Sequence, residues 1–348
     1  MSRLRLLVLL TGLGALVAGT PARAELAPDP ARTGGSEPRA LQLLDQAAAA
    51  ALSRSWRGTQ FAGTWRGGAQ SSSLLEVRHA PAAGTTITVL APASRAGLRS
   101  SPPDLLDTRL LALLADRYAL VMAGRGSCAG RPTHLVEARR RGQSGAAAVA
   151  GRFWLDDASG LVLRHEVLDE RGQTVRSSAF VDLVVESAPV HALAAPSYRV
   201  PVPDQRGTPE VSGMGWRPPQ DLPEGMGLYG VQVHRHAGGE VLQAAYSDGL
   251  STMSVFVQRG DVHGRVGDGS VQQGRGQATV WVRPGTPERV VWSGGGHTWT
   301  LLSDAPPGAI DAAVRALPHT GAAQGEDGMV DRLGRGLSRV GAWLNPFD

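Results

Sequence analysis

The sequence has one cysteine, Cys128, and no lysine; its 35 basic residues are all arginine. A single cysteine excludes an internal disulfide, so the core must hold by packing alone. Cys128 also stands far from the N-terminus, which excludes a cysteine-linked lipid anchor there. The all-arginine basic content fits a GC-rich genome and carries no functional weight. Long apolar runs are scarce too. The stretch Leu6 to Gly19 has 14 residues, short of the about 20 that cross a bilayer. There is no long basic block either.

What is present begins with an export pattern. Arg3 and Arg5 precede the apolar run, and Ala22-Arg23-Ala24 places small residues where signal peptidase inspects the chain. That order predicts a cleavable signal peptide over 1–24 and a periplasmic or other extracytoplasmic mature protein, soluble after cleavage. Arg3, Arg5 and Arg23 would leave with it, bringing the remaining arginines close to balance with the 31 acidic residues. The sequence pI near 9.9 therefore predicts no nucleic-acid partner.

Residues 25–38 are rich in Pro, Gly, Ser and charge and read as a flexible leader. Leu41, Leu44, Ala48 and Leu52 recur at helical steps, predicting a helix over 39–55 that Gly58 ends. Strands are predicted over Thr59 to Trp65, Leu75 to Arg78 and Thr86 to Leu90, the last two as a hairpin. A second helix is predicted over Leu105 to Leu114, then strands over Tyr118 to Met122 and His134 to Ala138. Three β-rich runs follow, Arg152 to Leu155, Leu161 to Leu168 and Gln173 to Val185. The turns Asp156 to Gly160 and Asp169 to Gly172 separate them, which describes an antiparallel meander.

Seven prolines between Pro189 and Pro219 mark 187–220 as a linker. A second β-rich unit over 221–320 carries strands over Gly227 to His236, Val241 to Tyr246, Thr252 to Gln258, Ala278 to Val282, Arg289 to Trp292 and Thr298 to Leu302. Its helix, Gly308 to Leu317, is introduced by Pro306-Pro307. A Gly- and Gln-rich loop is expected over Gly264 to Gly276. In the tail, 321–348, Val330, Leu333, Leu337, Val340 and Leu344 form one helical stripe. That stripe either packs on its own domain or meets a membrane or partner.

Catalytic motifs are weak. Gly126-Ser-Cys128-Ala-Gly130 imitates a nucleophile elbow, but the elbow needs a following helix, and Arg131-Pro132 leads into a strand instead. Gly124-x-Gly126 and Gly267-x-Gly269 open no helix and read as turns. His234-x-His236, with His263 nearby, lacks further ligands at convincing spacing for zinc. No enzyme activity, metal or cofactor is expected.

Two motifs carry a resemblance. Arg152-Phe-Trp-Leu-Asp-Asp-Ala-Ser-Gly-Leu-Val-Leu, followed by Asp169-Glu-Arg-Gly172, resembles the N-terminal domain of the MucB/RseB family. Tyr246-Ser-Asp-Gly-Leu250 with Ser254-Val-Phe-Val257 resembles that family's C-terminal motif. The order, the export pattern and the Pro-rich joint agree, and the resemblance covers most of Arg39 to Leu317. The tail from Gly325 to Asp348 departs from it.

The resemblance implies an α+β chain. Its N-terminal domain, 39–186, would be similar to lipoprotein carriers, with a curved antiparallel sheet around helices and an apolar cavity for acyl chains. A smaller β-rich C-terminal domain would contribute anti-sigma contact. The implied function is negative regulation of an envelope-stress sigma factor. The chain would bind the outer domain of a membrane-bound anti-sigma factor and shield it from proteolysis, with lipid or lipoprotein causing release. The alternative is a periplasmic lipid or lipoprotein carrier. Candidate cavity residues are Phe61, Trp65, Leu75, Val77, Ile87, Val89, Trp154 and Leu163. Candidate partner-binding residues are Ser247, Asp248, Gly249, Leu250 and Phe256.

Overall fold

The computed structural model describes residues 36–66, 69–81, 83–92, 108–145, 148–186, 198–199, 216–236, 239–262, 266, 269–275, 278–285 and 287–319. The expected signal peptide, most of the leader and linker, the tail and its stripe, His263 and Gly267 lie outside them.

The first helix, α1 (Pro38–Ser53), is an alanine-rich segment started by a proline at its first turn. Its end is Ser53, with the Arg54 N–H still bonded to Ala50 O, not Gly58 as expected. Gly58 instead lies inside β1 (Ser55–Arg66), where a Cβ would strike the Asp182 carbonyl at 2.3 Å. The hairpin β2 (Ala69–Ala80) and β3 (Gly84–Pro92) forms as expected. The second helix, α2, is described over Thr108–Arg117; its expected start at Leu105 lies outside the described residues.

After α2 the chain runs as a meander: β4 (Tyr118–Cys128), β5 (Arg131–Arg140), β6 (Val149–Asp156), β7 (Val162–Leu168) and β8 (Thr174–Glu186). The β6–β7 turn is fixed by its own chemistry. Gly160 adopts φ +77°, and buried Asp156 accepts from the Ser159 N–H at 2.8 Å and from Arg131 at 3.0 and 2.7 Å. β8 returns beside β1, and the two-residue β9 (Tyr198–Arg199) pairs with β3. The result is a nine-stranded antiparallel sheet in the order β4-β5-β6-β7-β8-β1-β2-β3-β9.

Alternation along these strands gives the sheet one buried face, and α1 and α2 cover it. Ala40, Leu44, Leu111 and Leu114 pack with Leu120, Val136, Phe153 and Leu155. The second half of α1 packs through Ala50 and Ala51 with Trp56, Leu75, Val77, Ile87, Leu163 and Phe180.

The second sheet has eight strands. These are β10 (Asp221–Leu222), β11 (Met226–His236), β12 (Gly239–Ser247), β13 (Thr252–Arg259), β14 (Val271–Arg275), β15 (Ala278–Arg283), β16 (Glu288–Gly294) and β17 (His297–Ser303). Their order is β10-β11-β12-β13-β17-β16-β15-β14. The Gly- and Gln-rich loop therefore contains a strand, β14. It is an exposed edge with no buried face, so it lacks the apolar alternation that marks its neighbours. The core centres on Trp292 and Trp299, paired across β16 and β17 and stacked 6.0 Å apart, with Trp216 edge-on to Trp299. The third helix, α3 (Pro307–Ala316), closes it through Ile310 and Val314.

Candidate functional site

The turn between β12 and β13, residues Ser247 to Ser251, reaches from the second sheet to the first. Its shape comes from its first two side chains. Ser247 Oγ donates to Ser251 O at 2.7 Å and accepts from Gly249 N–H at 2.8 Å. Asp248 Oδ1 accepts from the N–H groups of Leu250 (2.9 Å) and Ser251 (2.6 Å). Gly249 has φ +90°, and a Cβ there would lie 2.5 Å from Leu114 Cα. Glycine is thus required by conformation and by contact.

The turn projects into the first sheet. Leu250 is buried among Leu114, Leu111, Leu44 and Phe153. A Cβ on Gly151 of β6 would come within 2.6 Å of Leu250 Cδ2, so Gly151 forms the floor of this socket. Polar groups surround it. Tyr118 O–H donates to Asp248 Oδ2 at 2.7 Å. Burial, and then the Asp248 charge, push the Tyr118 phenol well above its ordinary range. Arg176 donates to Asp304 Oδ2 and to Leu250 O, and Asp304 Oδ1 accepts from Thr252 N–H at 2.6 Å. At the rim, Arg109 donates to Tyr229 O at 2.6 Å and Arg117 to Asp221 at 3.2 Å.

The candidate partner residues therefore divide. Ser247, Leu250 and Phe256 are buried in this conformation, and Asp248 and Gly249 are engaged with the first sheet. Tyr118, Arg176, Gly151 and Asp304 escaped the sequence reading. Only Gly151, a glycine inside a strongly β segment, offered a signal for close approach.

The eight cavity candidates do not share one face. Leu75, Val77, Ile87 and Leu163 are buried in one cluster beneath α1, with Val89 packed against it. Phe61 and Trp65 stand on the other face, each ring lying over Gly63. Trp154 pairs with Arg164, whose guanidinium lies 4.7 Å from its ring centroid, and points opposite to Leu163. An open groove of about 440 Å³ runs between α1 and the β6–β7 turn, lined by Arg39, Leu43, Gln46, His134, Asp157 and others.

Cys128 ends β4, and Ala129-Gly130 leads directly into β5, so no elbow forms. Its thiol faces the carbonyls of Leu163 and Phe180, and burial raises its pKa. His234 Nε2 contacts Gln243 Oε1 at 2.9 Å. Among the described residues no group of three or more His, Cys, Asp or Glu is placed to hold a metal. Among them also, no helix is long and apolar enough to cross a membrane.

A nine-stranded antiparallel sheet covered by two helices, with a second sheet plugged into it through a hairpin turn, defines a two-sheet α+β scaffold. Residues 86–205 match the family model described as MucB/RseB N-terminal domain. The chain is 28% identical over 214 residues to the sigma factor AlgU regulatory protein MucB of Pseudomonas aeruginosa. That alignment covers 61% of this chain and 64% of the relative, less than two thirds of its length. Among solved structures the chain is similar to MucB, with TM-score 0.47 and 22% identity, over 81% of this chain and 98% of that one. It is also similar to a chain in the Pseudomonas aeruginosa MucA/MucB complex, with TM-score 0.43 and 23% identity, over 81% and 99% respectively.

Proposed function

We propose that this chain is an extracytoplasmic negative regulator of an envelope-stress sigma factor. It is exported by its 1–24 signal and works as two domains, 39–186 and 221–320. It binds the outer domain of a membrane-bound anti-sigma factor and shields that domain from regulated proteolysis. Lipid or lipoprotein acyl chains release it, entering at the helix-covered face near Leu75, Val77, Ile87, Val89 and Leu163. The 321–348 tail gives peripheral membrane contact.

The observation that carries this reading is the match of residues 86–205 to the MucB/RseB N-terminal domain, combined with a second sheet whose Ser247 to Leu250 turn is seated on the first. A bare carrier has no use for that second sheet. An acyl-chain sensor needs a concave apolar surface and no nucleophile. Release further requires that the ligand bind the free form better than the complexed one.

The test is a pull-down of the mature chain against the outer segment of the anti-sigma factor, with and without lipid. Binding that lipid weakens is the expected result. Failure to bind under any condition, together with co-purified lipid that transfers to membranes, would overturn the reading in favour of a lipid carrier.

A further inference from the structure

The two sheets own separate cores. Every buried member of the second sheet's cluster lies between Leu222 and Leu317. Among the described residues, the buried members of the first sheet's clusters run from Ala40 to Phe180, with Leu250 as the one outsider. The polar contacts across the seam include Tyr118 with Asp248, Arg176 with Asp304, Arg109 with Tyr229 O and Arg117 with Asp221. Leu250 in its socket and Leu113 over Gly227, set inside a polar rim, are the anatomy of a separable protein–protein interface rather than of a continuous core. The step from Arg199, paired in the first sheet, to Trp216, packed on Trp299 in the second, spans at most about 60 Å of extended chain, enough to let the sheets part without breaking either.

The socket is selective. Gly151 as floor leaves depth for a branched aliphatic side chain. The Leu114 backbone leaves no room for a Cβ on the residue before it, which requires glycine there. Tyr118 O–H meets a carboxylate two residues before the aliphatic one, and Arg176 meets the aliphatic residue's own carbonyl. Together these groups recognise a turn that runs acid, glycine, aliphatic.

We propose that this socket is a polypeptide-binding site, occupied in cis by the 247–251 turn and open in trans to a partner turn of the same chemistry once the second sheet swings away. The proposal deepens the partner-binding reading above and rests on it for the identity of the partner. The protein's own turn is then a competitor that sets the threshold for capture. A binding-competent state that is only fractionally populated lowers the apparent affinity by that fraction.

The experiment uses the full mature chain and a fluorescent cyclic peptide containing Ser-Asp-Gly-Leu-Ser, followed by anisotropy. A variant carrying Asp248→Ala and Leu250→Ala vacates the socket and is expected to bind the peptide about tenfold or more tightly than the wild type. A control peptide with Asp in place of Leu should bind neither. Binding to neither chain, or equal binding to both, would overturn the proposal.

Hydrogen exchange on the wild-type chain supplies a second readout that does not depend on the variant folding. Amides 249–252 and those of α2 should exchange at least about tenfold faster than those of Val255 and Leu301. Exchange of all of them in one global event would overturn the proposal. The anti-sigma pull-down reads separately. Peptide capture without anti-sigma binding leaves the socket standing and removes the partner, while anti-sigma binding without peptide capture removes the socket.

Discussion

Leu250, on the turn between β12 and β13, lies so close to Gly151 of β6 that a single added methyl would meet it at 2.6 Å. The two residues belong to different units, and Leu250 is buried in the first one's core. Gly151→Ala should therefore loosen the docking of the second sheet while leaving each core intact. Overpacking of this kind costs about 1–3 kcal/mol. Denaturation in urea checks the size. Hydrogen exchange checks the place, because the added exposure should concentrate in 247–251 and α2.

The ion pair between Arg176 and Asp304 should prove more costly to break. The Arg176 side chain is 12% exposed and that of Asp304 2%. Removing one partner of a buried pair strands the other charge, a loss of about 3–5 kcal/mol. Asp304→Asn is expected to show that loss, since the amide oxygen still accepts from Thr252 N–H but leaves Arg176 unmatched. Adding Arg176→Met to Asp304→Asn should recover most of it. A double-mutant cycle by urea denaturation measures the coupling, and equal losses in single and double variants would contradict the pairing.

His165 predicts an acid-sensitive fold. It is buried, stacked on Phe153 at 4.5 Å, and its Nε2 has no hydrogen-bond partner. Burial, and then the charge of Arg176, lower its pKa to about 3. The folded pKa is depressed below the unfolded value near 6.5, so the unfolded chain takes up a proton first as pH falls. Stability should be full above about pH 6.5 and fall by about 1.4 kcal/mol per pH unit between about pH 6 and pH 3. His165→Leu removes the titrating group. The difference between wild-type and variant urea midpoints across that range isolates its contribution from that of other groups, His79 among them.

The elements were legible where local chemistry decides them. Asp156 to Gly160 and Asp169 to Gly172 carry their turns in their own side chains and glycines, so the meander between them could be read from the chain. Strand β14 was not legible, because Val271 to Gly274 are all exposed and leave no alternation to detect. The Ser247 to Leu250 motif was visible as a turn, but its role was not. That role depends on Gly151 and Tyr118, which are distant in sequence and meet it only when the sheets dock. The division of the cavity candidates between two faces was hidden for a related reason. Alternation places Leu75 and Val77 on one face of their own strand, but relating that face to Trp154 needs the inter-strand register, which hydrogen bonding sets.

That division between faces makes opposite predictions for two residues that look alike in sequence. Leu163 is fully buried beneath α1, so Leu163→Ala should cost about 2–5 kcal/mol, with the spread set by how far the helix can settle. Phe61 is 36% exposed on the far face, its ring beside Gly63, so Phe61→Ser should stay within about 0.5 kcal/mol of wild type. If acyl chains enter beneath α1, displacement of a fluorescent fatty acid should weaken for Leu163→Ala and remain unchanged for Phe61→Ser. The converse pattern, with Phe61→Ser losing the ligand and Leu163→Ala keeping it, would move the ligand to the outer face. There Phe61 and Trp65 form an aromatic surface, and Trp154 with Arg164 a second one.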